Sequence, residues 1–145
     1  MLKKITFLTT IVLVLVTVLY TSCKKENNRR PSEPVKEIDG SWKIIKALRN
    51  GTDLTNRFDF SKFRINFSDS SYTITEPVPF LVSKDGNWSF DDPDYPFAIF
   101  FRTTGQPDAT STVQYPVVKG VRNLILSFSP GCKSNTYEYT LEKAQ

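Results

Sequence analysis

Lys62-Phe63-Arg64-Ile65-Asn66-Phe67-Ser68-Asp69-Ser70-Ser71-Tyr72-Thr73-Ile74-Thr75-Glu76 alternates apolar and polar side chains on both sides of one turn. Phe63, Ile65 and Phe67 alternate with Arg64 and Asn66. Beyond Asp69-Ser70, Tyr72 and Ile74 alternate with Thr73 and Thr75. Successive side chains of a strand point to opposite faces, so apolar residues at a period of two mark a half-buried strand. The pattern predicts strands over 62–68 and 71–76, joined by a tight hairpin at Asp69-Ser70.

The same texture extends in both directions. Upstream, 40–48 sets Trp42 and Ile44 against Lys43 and Ile45 and closes at Asn50-Gly51. Downstream, 87–91 carries Trp88 and Phe90 after an Asp85-Gly86 turn, and 97–103 follows a break bounded by prolines. Then 111–118 places Val113, Tyr115 and Val117 on one face, and Lys119-Gly120 turns into 122–129 with Leu124, Leu126 and Phe128. The last strand, 135–142, sets Tyr137, Tyr139 and Leu141 opposite Thr136, Glu138 and Thr140. No stretch beyond residue 23 shows a 3.6-residue period, and 53–62 has room for one helical turn at most. Eight short strands in meander order predict an all-β fold, an eight-stranded antiparallel meander barrel, because closure removes exposed sheet edges. An eight-stranded barrel is either filled by side chains or holds one small ligand.

The amino terminus reads as an address. Lys3 and Lys4 precede the apolar stretch 5–20, whose core is shorter than the roughly 20 apolar residues of a spanning helix and suits a secretory signal peptide. Leu19-Tyr20-Thr21-Ser22-Cys23 resembles a bacterial lipobox, with the small Ser22 just before the cysteine. That resemblance implies cleavage after residue 22, acylation of Cys23 and attachment to a membrane through it. A plain signal peptide or an uncleaved anchor is the simpler alternative. Several acyl chains are needed for stable attachment, since one holds a protein only marginally. Residues 24–37 contain a single hydrophobic side chain, Val35, and read as a spacer. The expected organisation is therefore a signal peptide over 1–22, a lipidated cysteine and tether over 23–37, and a β domain over 38–145.

Charge follows this division. The chain has 145 residues with 19 Lys+Arg, 15 Asp+Glu and a formal charge of +4. Lys3 and Lys4 carry two of those charges and the tether a net two more, which leaves the β domain neutral. Nucleic-acid binding needs clustered cations to neutralise phosphates, so no nucleic-acid partner is expected. The sequence contains no His, which excludes Ser-His-Asp and Cys-His nucleophilic systems and every His-ligated metal site. No enzyme activity, cofactor or metal is expected. The acidic run Asp91-Asp92-Pro93-Asp94 lacks the ligand spacing of a calcium loop and reads as a solvated connection. Cys132, in Ser129-Pro130-Gly131-Cys132, reads as a turn residue.

Gly40-Ser41-Trp42-Lys43-Ile44, Asn50-Gly51-Thr52-Asp53-Leu54-Thr55, Phe63-Arg64-Ile65-Asn66-Phe67 and Gly86-Asn87-Trp88-Ser89 together carry a family likeness. The chain resembles the lipocalin-like domain family of short Bacteroidetes lipoproteins over about residues 38–143. The resemblance implies a Gly-x-Trp on the first strand, with Trp42 packed across one end of a barrel. Lys143 is the only cation on the last strand available to stack on it. It also implies an outer-membrane lipoprotein, and Lys24 after the cysteine, in place of Asp, agrees with that location. The leaflet stays open.

The aromatic residues supply the candidate ligand contacts: Trp42, Phe63, Phe67, Tyr72, Trp88, Tyr115, Tyr137 and Tyr139. These line a cavity for a small apolar or glycan-like ligand if the barrel is hollow, and fill it otherwise. The connections 49–61 and 76–86 are the expected rim, the second exposing Phe80 and Leu81. Phe100, in a segment apolar on both faces, is a further candidate contact for an envelope protein partner. Two functions follow: a ligand-binding module near the membrane, or a filled barrel that binds another envelope protein.

Overall fold

A computed structural model describes residues 35–79 and 81–144. Cys23, most of the tether and Phe80 lie outside them. The described chain is all β, in ten strands: β1 (Gly40–Arg49), β2 (Thr52–Asp53), β3 (Arg64–Ser68), β4 (Ser71–Thr75), β5 (Gly86–Phe90), β6 (Ala98–Arg102), β7 (Ala109–Gln114), β8 (Val117–Val118), β9 (Val121–Phe128) and β10 (Tyr137–Lys143). Eight of them form the wall, in the order β10-β1-β3-β4-β5-β6-β7-β9. β10 pairs with β9 as well as β1, which closes the ring as an eight-stranded antiparallel barrel. The two-residue strands β2 and β8 extend hairpins on β1 and β9.

The turns follow from their residues. Asn50-Gly51 joins β1 to β2 with φ of 48° and 79°, and Lys119-Gly120 joins β8 to β9 with 52° and 81°. Positive φ at both central positions is what a two-residue hairpin requires, because that twist matches the flanking strands. The strand predicted over 111–118 divides instead into β7 and β8. Pro116 lacks a backbone N–H and cannot continue the ladder, so the chain breaks at Tyr115-Pro116 before re-pairing. Residues 53–62 hold no helix; a single turn closes where the Arg57 N–H donates to the Leu54 carbonyl at 2.8 Å.

One irregularity decides which side chains of β1 face inward. Ile44 pairs with Leu141 but Lys46 pairs with Thr140, so Ile45 is an extra residue, a β-bulge. Trp42, Ile44 and Ala47 are buried, while Ile45 and Lys46 are exposed. Unbroken alternation would have turned Lys46 into the barrel, where an unpaired ammonium is strongly disfavoured.

The interior is an aromatic and aliphatic core. Trp42, Phe63, Ile65, Ile99, Phe101, Leu124, Leu126 and Leu141 are all fully buried. Phe101 meets Tyr72 edge-on with ring centroids 5.2 Å apart. Each such side chain contributes about 1.5–3 kcal/mol relative to its exposed state. Polar groups inside are partnered: the Tyr72 and Thr103 hydroxyls share a hydrogen bond of 2.8 Å. Burial pushes the Tyr72 phenol above its ordinary pKa.

The two ends of the barrel differ. At one end the N-terminal segment crosses the opening. Ile38 is buried there, its carbonyl accepts from Trp42 Nε1 at 2.7 Å, and the Glu37 carbonyl accepts from the Tyr115 hydroxyl at 2.6 Å. The Lys36 N–H also donates to the Pro93 carbonyl at 3.2 Å, so the folded unit begins ahead of residue 38. The other end is bordered by the connections between β2 and β3, β4 and β5, β6 and β7, and β9 and β10.

Candidate functional site

That second end contains a pocket of about 230 Å³, lined by Arg49, Leu54, Phe58, Phe60, Pro79, Tyr137 and Tyr139. Its floor comes from the start of β10, where Tyr137 and Tyr139 share the inward face by the period of two. Its near wall is the connection after β2, and Pro79 from the β4–β5 connection closes the far side.

The connection after β2 is braced along its length. The Leu54 N–H donates to the Ala47 carbonyl at 2.8 Å, and the Ala47 N–H donates to Thr55 Oγ1 at 3.0 Å. Asp53 Oδ1 accepts from the Thr55 N–H at 2.8 Å, and Asp59 Oδ1 accepts from the Ser61 N–H at 2.9 Å. The Thr55 and Ser61 donors hold both carboxyls below their ordinary pKa. Two such side-chain-to-backbone turns fix a loop that carries no regular structure, and so aim Phe58 and Phe60.

The aromatic rings form a continuous set. Phe58 and Phe60 have centroids 6.1 Å apart, Phe60 and Tyr139 6.0 Å, and Tyr139 and Tyr137 6.2 Å. Phe128 supports both tyrosines from behind, stacked on Tyr137 at 5.8 Å with an interplanar angle of 12°. The Arg49 guanidinium carbon lies 5.7 Å from the Tyr137 ring centre, and Arg49 Nε donates to Asn135 Oδ1 at 2.7 Å. Among the described residues no carboxylate pairs with Arg49. The Tyr139 hydroxyl donates to the Pro79 carbonyl, tying the two walls together. Burial, and then the neighbouring Tyr137, push the Tyr139 phenol far above its usual pKa, so it stays a neutral donor in that bond. Phe58 remains 54% exposed and stands at the mouth.

The structure sorts the expected ligand contacts into four groups. Tyr137 and Tyr139 line the pocket. Trp42, Phe63, Phe67 and Tyr72 are buried in the core, where they pack on one another and on the strands around them. Tyr115 is at the opposite end, its ring 6.2 Å from Trp42 and 4.8 Å from the Arg122 guanidinium carbon. Lys143, the last-strand cation available to stack on Trp42, has its Nζ 5.8 Å from that ring. Trp88 is half-buried against Phe67 and Phe90, and its buried Nε1 has no hydrogen-bond partner among the described residues. Phe100 is half-buried on the outer wall, 5.8 Å from the Arg102 guanidinium carbon.

Both expected rim connections do border the pocket, but the second contributes differently from its apolar composition. Val82 is buried, and Val78 and Leu81 pack half-buried against the core, where exposure was expected. Phe80 lies outside the described residues. Arg49, Leu54, Phe58, Phe60 and Pro79 were not singled out as contacts. The available signal was Phe58 and Phe60 inside a polar loop that opens on Asn50-Gly51.

The acidic residues serve the backbone. Asp91 Oδ1 accepts from the Phe97 and Ala98 N–H groups at 3.0 and 2.9 Å, and the Ala98 donor holds its carboxyl below the ordinary pKa. Asp92 Oδ1 accepts from the Asp94 and Tyr95 N–H groups. Among the described residues no three Asp, Glu or Cys side chains stand together as a metal site would require.

Residues 20–142 match the model of a family described as a domain of unknown function, DUF5004. The chain belongs to the DUF5004 family. No curated protein and no solved structure matches it. The DUF5004 span takes in every strand of the barrel up to residue 142, both rim connections and Cys23.

Proposed function

We propose that the chain is a lipid-anchored cell-envelope protein of the outer membrane that holds one small ring-bearing ligand, apolar or glycan-like, at the open end of its barrel. It acts by binding, without catalysis. The observation that carries this reading is the pocket of about 230 Å³ with aromatic walls and one arginine. Aromatic faces stack on the C–H faces of sugars and on flat apolar rings, and an arginine held over one of them supplies a directed donor fork. Ligand pockets for drug-sized molecules run to about 300–1,000 Å³, so this one suits a single ring and not an extended acyl chain. Arg49 favours a ligand that carries a carboxylate or another anionic acceptor beside its ring.

The anchor rests on Leu19-Tyr20-Thr21-Ser22-Cys23. Cys23 also lies within the span matched by the family model. Cys23→Ala should move the protein out of the membrane fraction, and the intact mature chain should carry acyl mass on its first residue. An unmodified Cys23 in the mature protein contradicts the anchor. The ligand should accompany the protein purified from its own host and be lost on Tyr137→Ala.

A further inference from the structure

We propose that the barrel end crossed by the N-terminal segment rests on the lipid bilayer, inserting an apolar rim built from Tyr95, Phe97 and the β8–β9 hairpin. Among the described residues eight large hydrophobic side chains are exposed: Val35, Ile45, Phe58, Tyr95, Phe97, Val117, Val118 and Val121. All but Ile45 and Phe58 lie at this one end. Phe97 and Tyr95 border a cleft with Lys36, Tyr115 and Arg122, and Val35 borders a second cleft with Tyr115, Arg122 and Lys143. Val117 pairs with that same Arg122, which joins the hairpin to the patch. Adjacent strand residues face opposite ways, yet Val117 and Val118 are both exposed, so the hairpin stands clear of the barrel. Phe97 is 76% exposed, the most of the eight. Clustered apolar exposure of this kind marks an interaction surface.

The occupant follows from where the chain leaves this end. The residues ahead of Val35 contain the apolar stretch 5–20 and Cys23, so any membrane attachment departs from this face. Val35 follows Cys23 by twelve positions, a reach of at most about 43 Å. Tethering turns docking into an intramolecular event at high effective concentration, so a patch too small to bind lipid alone suffices. Lys36, Arg122 and Lys143 border the two clefts, but each cleft also has aromatic or apolar walls, and the connection that carries Tyr95 also holds Asp91, Asp92 and Asp94. The contact is therefore apolar in origin and insensitive to salt. With this end on the bilayer, the aromatic pocket at the other end opens away from it. The inference rests on the membrane-anchor reading above.

The test uses the mature acylated chain, purified from the membranes of its host and reconstituted into phosphatidylethanolamine–phosphatidylglycerol vesicles whose acyl chains carry bromine near the headgroups. Phe97→Trp and Phe58→Trp, both at exposed positions, are compared at the two ends against the unsubstituted chain. Interfacial apolar faces sit about 5–10 Å into the headgroup boundary, so the emission added by Phe97→Trp should fall by roughly half or more, at low and high salt alike. The emission added by Phe58→Trp should be unaffected. Sedimentation of the vesicles reads the anchor separately. A chain that sediments while both variants behave alike overturns the docking and leaves the anchor standing, whereas a chain that does not sediment overturns both. In native membranes fused with the same brominated lipid, Phe97→Trp shielded from iodide and from bromine alike would mark a protein at this rim and also overturn the proposal.

Discussion

At Gly86 one missing carbon holds two strands together. A Cβ there would stand 2.2 Å from the Arg102 carbonyl oxygen and 2.9 Å from the Tyr72 hydroxyl. The first of these is backbone and cannot swing away. Gly86 pairs with Tyr72, whose hydroxyl is committed to Thr103, so the strain of any shift would reach the core. Gly86→Ala should lower stability by about 2–3 kcal/mol, the scale of overpacking a tight site, read as an earlier urea midpoint. An unchanged midpoint would show that β5 and β6 separate without cost. In the sequence this glycine reads as a turn residue and as part of a Gly-x-Trp; the close approach of β6 is a tertiary fact with no local signature. Trp42 and Tyr115 show the same limit. Aromatic identity predicts burial well, but whether a ring fills the core or faces a ligand depends on which end of the barrel it occupies.

Among the elements, β1 carries the most information. Its bulge at Ile45 keeps Lys46 outside and brings Ala47 inside, and Ala47 then binds the connection that carries Phe58 and Phe60. Deleting Ile45 would remove the extra residue and leave Ile44 inside, Lys46 outside and Ala47 inside, each with the β10 partner it already has. The expected outcome is a folded barrel, seen as dispersed amide signals retained in NMR spectra. Collapse of those signals would show that the bend at the bulge is itself required. The irregular pair is Ile45-Lys46, both exposed; in the sequence Ile44 and Ile45 on opposite faces read as plain alternation and left no trace of it. Strand existence was legible almost throughout because alternation is a local consequence of the pleat. Ends were less so: Pro116 splits the predicted 111–118 strand, and the apolar run 78–82 folds onto the core because a barrel wall lies beneath it.

For the whole molecule, closure by β10 against both β9 and β1 makes two unlike ends. Segment 35–39 covers one, and long braced connections leave an aromatic pocket at the other. The barrel and its rim connections followed from turn spacing and period. The pocket itself did not, because it depends on Phe58, Phe60 and Pro79 converging with Tyr137 and Tyr139 from three separate parts of the chain. A barrel that works by binding has this pocket occupied in the cell. Native mass spectrometry of the protein released intact from the membranes of its own host reads that occupancy. A non-covalent increment of one small molecule is expected on the unsubstituted chain, absent from a folded Tyr137→Ala chain prepared the same way. A bare protein mass, or an increment that survives Tyr137→Ala unchanged, would contradict it.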